Sequence, residues 1–266
     1  MILVPRIRAQ TFIGKMSHGR TQPGLYSCHI GEDQYQEYVV KYHSQLGSSI
    51  VCEFIAAQLG HYLGLPIPST AIVEINAELI DIIPHLSNLL AKDSGPHFGS
   101  EHKGGGYTVL PDAFSIPQDL IPSAIDIFAF DMLIQNPDRS YKPGQGKPNL
   151  LYNGSEFVIF DHELAFSFLS IIGDPPPPAW ELRNEEWVKS HIFYRQLARY
   201  ADKDTISFDN FITRFQSVSD AILTEIVQTI PVNWNDSDQV SKIVEHLKTV
   251  RENLMRFRKG LLEVFA

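Results

Sequence analysis

Apolar and polar residues alternate along the first third of the chain, a pattern typical of strands with one buried face. The alternation runs from Ile2 to about Phe12, and apolar stretches at Gly24 to Cys28 and Tyr38 to Tyr42 predict two more strands, linked through His29 to Gln36. The segment from Gly14 to Pro23 is rich in glycine and polar residues and predicts a loop. The chain therefore begins with a predicted sheet.

A helical pattern follows from about Ile50 to Leu63, where apolar residues recur at intervals of three and four. Ser48 or Ser49 is suited to cap its start, and Glu53 lies within the apolar stripe, in the predicted first turn. A glutamate there suits the positive end of the helix dipole. It also suits a second role, as the partner of a buried cation.

Lys41 is the cation that could pair with Glu53. It lies in the strand Tyr38 to Tyr42, which has apolar residues on both faces and therefore reads as a buried strand. Lysine is rarely buried without a partner. Lys41 is either a lysine that protects an exposed sheet edge, or an internal cation whose counter-ion is Glu53.

The pattern beyond the helix predicts two more strands, Thr70 to Ile75 and Leu79 to Ile83, turned at Asn76-Ala77. From Pro84 to Pro111 the periodicity is lost and glycines accumulate. A loop of this length inside a compact domain usually has a function, and we expect it to connect two lobes.

The remainder of the chain is predominantly helical. One helix is predicted from Pro122 to Gln135, and three longer ones follow at about Glu185 to Ala201, Phe208 to Thr229 and Asp236 to Phe257. Strands first and helices later predict an α+β protein of two lobes with a cleft between them.

A short hairpin interrupts the helical part. Leu150 to Tyr152 and Phe157 to Phe160 are apolar runs, and Asn153-Gly154 between them is a strong turn signal. A two-residue turn would pair Asn149 with Val158, whereas a four-residue loop would pair it with Phe160. The sequence leaves both registers open.

Three polar residues around this hairpin suggest phosphoryl transfer. Asp138 lies in a loop together with Arg139, Asn149 precedes the first strand, and Asp161 follows the second. Transfer of a γ-phosphoryl group needs a carboxylate that orients the attacking hydroxyl and oxygen ligands that hold Mg²⁺ on the phosphates. Asp138, Asn149 and Asp161 match these requirements.

A loop between the first two predicted strands is a candidate for contact with phosphates. It carries Ser17, Gly19, Arg20 and Thr21, and backbone N–H groups in such a loop can surround an anion. Most glycine-containing loops are only turns, so a simple connection between the two strands is the alternative interpretation.

Composition narrows the remaining classes. The 266 residues carry a net charge of −9, which argues against general nucleic-acid binding. No apolar run is long enough to cross a membrane, and the N-terminus lacks the apolar core of a secretory signal. Cys28 and Cys52 lack metal-ligand spacing and are expected to be buried thiols, so a cytoplasmic location is predicted. No oligomeric state is indicated.

With Lys41, Glu53, Asp138, Asn149 and Asp161 in this order, the chain resembles the protein-kinase-like superfamily. Within it the chain is most similar to the HipA-like kinases and more distantly similar to the phosphatidylinositol kinases. The resemblance extends over much of residues 19 to 168 and is carried by five strings: GRTQPGLYS, EYVVKY, EFIAAQLGHYLGLPIPSTAIVEI, FAFDMLIQNPDR and PNLLYNGSEFVIFDHELAF.

The resemblance implies a role for each of these residues. Lys41 would contact the phosphates of ATP and Glu53 would hold it, while Asp138 would be the catalytic acid-base residue. Asn149 and Asp161 would be ligands of Mg²⁺ or Mn²⁺. It also implies one kinase domain over residues 1–266, with a strand-rich N-lobe to about residue 84, a connecting region at 85–117 and a helical C-lobe at 118–266.

The motif after the hairpin reads Asp161-His162-Glu163, and HipA-like proteins tend to have Asp-His at this place. The chain departs from the wider kinase pattern in its spacing: eleven positions separate Asp138 from Asn149, so that Ser140 to Lys147 reads as an insertion. The insertion leaves Asn136 and Asn153 as alternatives to Asn149.

The predicted function is an ATP- and Mg²⁺-dependent Ser/Thr protein kinase whose protein substrate docks along His162 to Glu186. Two alternatives remain, a small-molecule or lipid kinase and a catalytically silent module that binds nucleotide or a partner.

Overall fold

Five strands of the N-terminal part close into a barrel. The computed structural model describes residues 3–16, 21–83, 95–110, 114–140, 148–170, 177–201, 206–234 and 236–266. The barrel strands are β1 (Arg6–Lys15), β2 (Gly24–Gly31), β3 (Gln34–Lys41), β4 (Thr70–Glu74) and β5 (His97–Glu101). They run in the order β1-β2-β3-β5-β4, and β4 pairs in parallel with β1, which closes the ring. The first strand therefore begins four residues later than the alternation predicted.

The inside of the barrel is a small apolar core of its own. Alternate residues of the strands point inward, as expected for a period of two, and the hydroxyl groups of Tyr26 and Tyr42 are hydrogen-bonded at 2.8 Å. The core residues are Ile7, Ala9, Tyr26, Cys28, Tyr38, Val40, Tyr42, Ala71, Val73 and Ile83. Cys28 and Cys52 are free, buried thiols, as predicted.

Two helices lie between β3 and β4. The short α1 (His43–Leu46) is followed by α2 (Ser49–Tyr62), in which every residue from Ile50 to Gly60 is buried. Ser48 occupies the N-cap position, but its side chain makes no capping hydrogen bond. Glu53 is the fifth residue of α2, so its predicted place in the first turn was wrong by one position.

The predicted strand from Leu79 to Ile83 is instead a helix, α3 (Ala77–Ile82). The side chain of Asn76 caps it by accepting a 2.8 Å hydrogen bond from the backbone N–H of Leu79. Asn76 was read as a turn residue, and turns and helix N-caps favour the same amino acids. Leu79 and Ile80 pack against the apolar core of the barrel.

The predicted long loop from Pro84 to Pro111 contains a central barrel strand. Strand β5 lies between β3 and β4 and is antiparallel to both. The sequence did not predict this strand, because it contains Gly99 and glycine is uncommon in strand interiors. A Cβ atom at Gly99 would lie 2.4 Å from Cγ2 of Val73, so the close approach of β4 requires glycine.

A second sheet of three short strands contains the predicted hairpin. Strand β6 (Thr108–Val109) pairs with β7 (Leu150–Tyr152), and β7 pairs with β8 (Phe157–Ile159). Leu150 lies opposite Ile159, which selects the four-residue loop. Asn149 accordingly accepts a 3.2 Å hydrogen bond from the backbone N–H of Phe160, next to Asp161.

The predicted helix before the hairpin is α4 (Ile121–Leu133), and the three predicted C-terminal helices are each two helices. They are α5 (Glu186–Ser190), α6 (Tyr194–Ala201), α7 (Asp209–Gln216), α8 (Asp220–Gln228), α9 (Ser237–Glu252) and α10 (Leu254–Glu263). A local signal marks one break, because Ser219 caps α8 by accepting from the N–H of Ile222. Within the described ranges, no helix is long and apolar enough to cross a bilayer.

Candidate functional site

A cavity of about 510 Å³ is lined by residues of β3 and β5 of the barrel and by residues of the β7–β8 hairpin. Part of its wall is apolar and is formed by Val39, Pro68, Phe98 and Leu151. Five of the residues predicted from sequence also line it: Thr21, Lys41, Glu53, Asn149 and Asp161. Tertiary structure thus brings together residues that are up to 140 positions apart.

Lys41 is the centre of the polar wall. It is the last residue of β3, and its Nζ lies 2.9 Å from Oε2 of Glu53 and 2.5 Å from Oδ1 of Asp161. A third carboxylate, that of Glu163, lies 3.5 Å away. Lys41, Glu53 and Glu163 are buried, so these interactions are little screened by solvent.

Three carboxylates around one ammonium leave the cluster short of positive charge. Burial raises the pKa of Glu53 to about 7, with Asp161 and Glu163 adding to the rise and Lys41 opposing it. Burial by itself would lower the pKa of Lys41, but the three carboxylates raise it above its usual value. The cluster therefore carries more negative than positive charge, an imbalance that a further cation would reduce.

Asp138 does not line the cavity itself but is hydrogen-bonded to Asn149, which does. The side-chain Nδ2 of Asn149 donates a 2.6 Å hydrogen bond to Oδ2 of Asp138. Burial raises the pKa of Asp138, the bond from Asn149 opposes the rise, and the charge of Asp161 adds to it. The bond leaves the amide oxygen of Asn149 available to another ligand.

The backbone at both candidate metal ligands is left-handed. Asn149 has a φ of 46° and Asp161 a φ of 60°, a conformation that asparagine and aspartate tolerate better than most residues. Such residues occur preferentially at functional sites, where the surrounding structure holds them in place. Gln135 and Phe166, which flank the same region, are also left-handed.

Asn149 and Asp161 supply the side-chain oxygens that could hold a magnesium ion jointly with phosphates. Mg²⁺ in such sites takes one or two protein oxygen ligands and completes its shell with phosphate and water. Oδ1 of Asp161 accepts a hydrogen bond from Lys41, so Oδ2 is the oxygen that could bind a metal ion. Among the described residues no group of three or more His, Cys, Asp or Glu forms a metal site by itself.

The two alternative asparagines, Asn136 and Asn153, differ from Asn149 in their surroundings. Asn136 is fully buried, donates to Oδ1 of Asp131 at 2.9 Å and accepts from the N–H of Asp138. Asn153 is exposed in the hairpin loop, where its Oδ1 accepts from the N–H groups of Ser155 and Glu156. Neither asparagine lines the cavity.

Part of the predicted site lies outside the described residues. Ser17, Gly19 and Arg20 of the predicted phosphate loop fall there, as does the inserted segment apart from its first residue, Ser140. Ser140 forms an isolated antiparallel bridge with His191. The roles predicted for the undescribed residues stay predictions.

Sequence reasoning missed a buried network beneath the site. Asp131 is fully buried in α4, and its Oδ2 accepts from Nε of Arg139 at 2.6 Å and from Nε2 of His191 at 3.0 Å. Burial by itself would raise the pKa of Asp131, but Arg139 and His191 outweigh it and hold the pKa at about 2. A carboxylate in the apolar run FAFDMLIQ was the available signal.

Comparison with solved structures identifies the fold class. The chain is similar to the crystal structure of the Helicobacter pylori proinflammatory kinase CtkA, with a TM-score of 0.54 and 13% sequence identity, over 93% of this chain and 94% of that chain. At this identity the likeness shows the fold alone, which is that of a kinase structure.

The family follows from the sequence comparison. A family model described as HipA-like kinase matches residues 9–262. The chain therefore belongs to the HipA-like kinase family, which confirms the resemblance drawn from its motifs. No curated protein matches the chain.

Proposed function

We propose that the chain is an ATP- and divalent-metal-dependent phosphotransferase that uses a hydroxyl group as acceptor. The observation that carries this proposal is the convergence of Lys41, Asn149 and Asp161 on one cavity, with Asp138 hydrogen-bonded to Asn149. Lys41 comes from strand β3 of the barrel, whereas the other three residues lie around the β7–β8 hairpin. A structural ion pair between Lys41 and Glu53 would need neither Asn149 nor Asp138.

The geometry suggests a division of roles. Lys41, held by Glu53, would bind phosphate oxygens, and Asn149 and Asp161 would hold Mg²⁺ or Mn²⁺. When bound, the metal neutralises charge on the transferring group. Asp138 would orient the acceptor hydroxyl and take its proton, and the raised pKa of its carboxyl makes it a better base.

The apolar wall of the cavity supports ATP as the donor. Val39, Pro68, Phe98 and Leu151 form a surface on which a nucleobase can pack. The volume of about 510 Å³ lies in the range of about 300–1,000 Å³ usual for small-molecule sites.

ATP would then lie between a strand-rich N-lobe and a helical C-lobe. The predicted division at about residues 84 and 117 stays a prediction, although the pairing of β5 assigns this strand to the barrel.

The proposed acceptor is a serine or threonine of a protein substrate. Asp138 is only partly buried, so an acceptor can approach it from outside. Of the segment His162 to Glu186, on which a protein substrate is proposed to dock, Leu164 is 37% exposed.

The test is transfer of labelled γ-phosphate from ATP with Mg²⁺ or Mn²⁺. Wild type is compared with Asp138→Ala and Asp161→Ala, using the protein itself and a mixed protein extract as acceptors. Asp119→Ala is the matched control, because Asp119 is an exposed aspartate before α4 that does not line the cavity. We expect label on protein with wild type and the control, and transfer at least 100-fold lower with the two site variants, roughly the contribution expected of a general base.

Other results would redirect the assignment. Metal-dependent ATP binding without any transfer would favour a catalytically silent nucleotide-binding module. Label only on small molecules in a metabolite extract would favour a small-molecule kinase. Failure of the wild type to bind ATP would overturn the proposal altogether.

A further inference from the structure

Arg139 follows the predicted catalytic acid in sequence, but its side chain does not reach the cavity. The residue has no exposed surface at all. An arginine next to a catalytic aspartate could be expected to contact phosphate, and complete burial excludes this for Arg139. Its five N–H groups must therefore be satisfied by the protein.

The guanidinium of Arg139 joins both segments that carry the candidate metal ligands. Its Nη1 donates to the backbone carbonyl of Asn149 and, at 3.4 Å, to that of Phe160. Its Nη2 lies 2.9 Å from Nε2 of His162 and donates to it, since arginine has no acceptor. Arg139 thus contacts Asn149 directly and contacts the residues on both sides of Asp161.

These contacts of Arg139 lie at two positions where the backbone conformation is energetically unfavourable. Asn149 and Asp161 both have left-handed φ angles, which persist only where neighbouring groups hold them. A planar guanidinium offers several donors in a fixed arrangement, so it can set the separation of two carbonyl groups. The single ammonium group of a lysine has no such arrangement.

The charge of Arg139 is balanced away from the cavity. Its Nε donates to Oδ2 of Asp131 at 2.6 Å, and His191 donates to the same oxygen at 3.0 Å. Nδ1 of His191 accepts from the N–H of Phe193 at 3.2 Å, so the proton of this imidazole is on Nε2 and points at Asp131. Asp131 therefore anchors the guanidinium through Nε, while Nη1 contacts the backbone carbonyls of Asn149 and Phe160.

We propose that Arg139 is a positioning residue that sets the spacing of Asn149 and Asp161 as metal ligands, with Asp131 as its buried anchor. This inference rests on the proposed function. It gives Arg139 no contact with ATP, metal or acceptor. Its role is instead to hold Asn149 and Asp161 at the separation that a metal ion requires.

The test measures how metal ions affect nucleotide binding. Affinity for a non-hydrolysable ATP analogue is determined by calorimetry without metal and across a Mn²⁺ titration, for wild type and Arg139→Lys. Arg214→Lys is the matched control, since Arg214 also bridges a carboxylate of α4, Asp126, and a backbone carbonyl, that of Leu63, without lining the cavity.

We expect Arg139→Lys to require roughly 10-fold to 100-fold more Mn²⁺ for the same binding, the usual cost of losing a group that orients metal ligands. Affinity without metal should change less than about 2-fold, and high Mn²⁺ should restore kcat in a transfer assay. Arg214→Lys should keep the wild-type metal dependence, even if its melting temperature falls as much as that of Arg139→Lys.

Two outcomes separate the two claims. A folded Arg139→Lys with the metal dependence of wild type would overturn the positioning role and leave the proposed function intact. A wild type without any metal-dependent binding would remove the proposed function itself. Should Arg139→Lys not fold, Asp131→Asn retains the guanidinium and the shape of its anchor, and unchanged metal dependence in that variant would equally overturn the inference.

Discussion

The side-chain amide of Asn149 donates a 2.6 Å hydrogen bond to the carboxylate of Asp138 across eleven positions of sequence. The bond orients both groups, because it uses one oxygen of Asp138 and the amide nitrogen of Asn149. The bond does not use the other carboxylate oxygen or the amide oxygen, which are the atoms proposed to contact the acceptor hydroxyl and the metal ion. The long segment between the two residues therefore does not prevent them from meeting.

Replacement of Asn149 tests this relationship directly. Asn149→Ala removes a predicted metal ligand and the hydrogen bond to Asp138, so we expect phosphate transfer to fall by at least about 100-fold. Measurement of initial rates at several Mg²⁺ concentrations checks the prediction.

The matched control is Asn153→Ala. Asn153 lies in the hairpin loop and accepts hydrogen bonds from Ser155 and Glu156. Its loss should cost about 1 kcal/mol of unfolding free energy and leave activity unchanged. Equal loss of activity in both variants would show that the register of the hairpin, rather than Asn149 itself, supports activity.

Three carboxylates surround the single ammonium group of Lys41, so removing the ammonium group should destabilise the fold more than removing one carboxylate charge. Lys41→Met leaves Glu53, Asp161 and Glu163 without their cation and should cost roughly 3–5 kcal/mol. Glu53→Gln leaves Lys41 with two carboxylates and should cost clearly less. Urea unfolding of both variants without nucleotide or metal measures the difference, and a larger cost for Glu53→Gln would contradict the charge argument.

The C-terminal helix α10 docks on the chain through Gly260. A Cβ atom at this position would lie 2.4 Å from the carbonyl oxygen of Trp180 and 2.8 Å from its Cα. Gly260→Ala should therefore destabilise the fold by about 1–3 kcal/mol, although alanine is the better helix former. Thermal unfolding followed by tryptophan fluorescence measures the change, and Trp180 itself lies under Arg256.

Gly104→Ala is the corresponding control. The nearest atom to a Cβ at Gly104 is a ring carbon of His102 at 3.8 Å, an ordinary van der Waals contact. This variant should keep the wild-type melting temperature. A Gly260→Ala protein that is equally stable would show that α10 can move away from Trp180 without cost.

His246 makes stability depend on pH. Nε2 of His246 donates to the carbonyl of Leu133 at 2.7 Å, and its ring lies 4.6 Å from that of Phe168. Burial lowers the pKa of His246 below its usual value, and the hydrogen bond to Leu133 opposes this shift. The unfolded chain therefore binds a proton at this residue at a higher pH than the folded chain does.

The sign of the effect follows from proton uptake. As pH falls below about 6.5, the unfolded state takes up the proton and the folded state does not, so the folded state loses stability. His246→Gln should flatten the decline between pH 7 and pH 5 by at most about 1.4 kcal/mol per pH unit. Urea unfolding at several pH values measures the slope, and a slope equal to that of wild type would exclude a buried, neutral His246.

Several parts of the fold were predictable because they depend on neighbours in sequence. The contact between Lys41 and Glu53 was expected because Lys41 lies in a strand with two apolar faces and Glu53 lies twelve residues later in a helix. The hairpin was predictable as a hairpin, but its register was not. Oδ1 of Asn153 accepts from two backbone N–H groups, and these bonds accompany the four-residue loop.

The errors have physical causes of the same kind. Asn76 suits a turn and a helix N-cap equally well, so local preference could not tell α3 from a strand. Gly99 is atypical of a strand, so the sequence of β5 did not indicate one. Glycine is required at this position because β4 packs closely against it. In both places a contact with another part of the chain decided the outcome.

Periodicity along the chain was enough to predict the α+β class, and the order of its motifs indicated the HipA-like family, which the family model confirms. Lys41, Glu53, Asp138, Asn149 and Asp161 remain predicted site residues, and the sequence left Asn136 and Asn153 as alternatives to Asn149. Which of these residues lie close together depends on tertiary packing, since Lys41 and Asp161 are 120 positions apart. It also revealed Asp131 and Arg139 beneath the site. Buried polar groups need partners, and those partners become known only when distant segments of the chain are packed together.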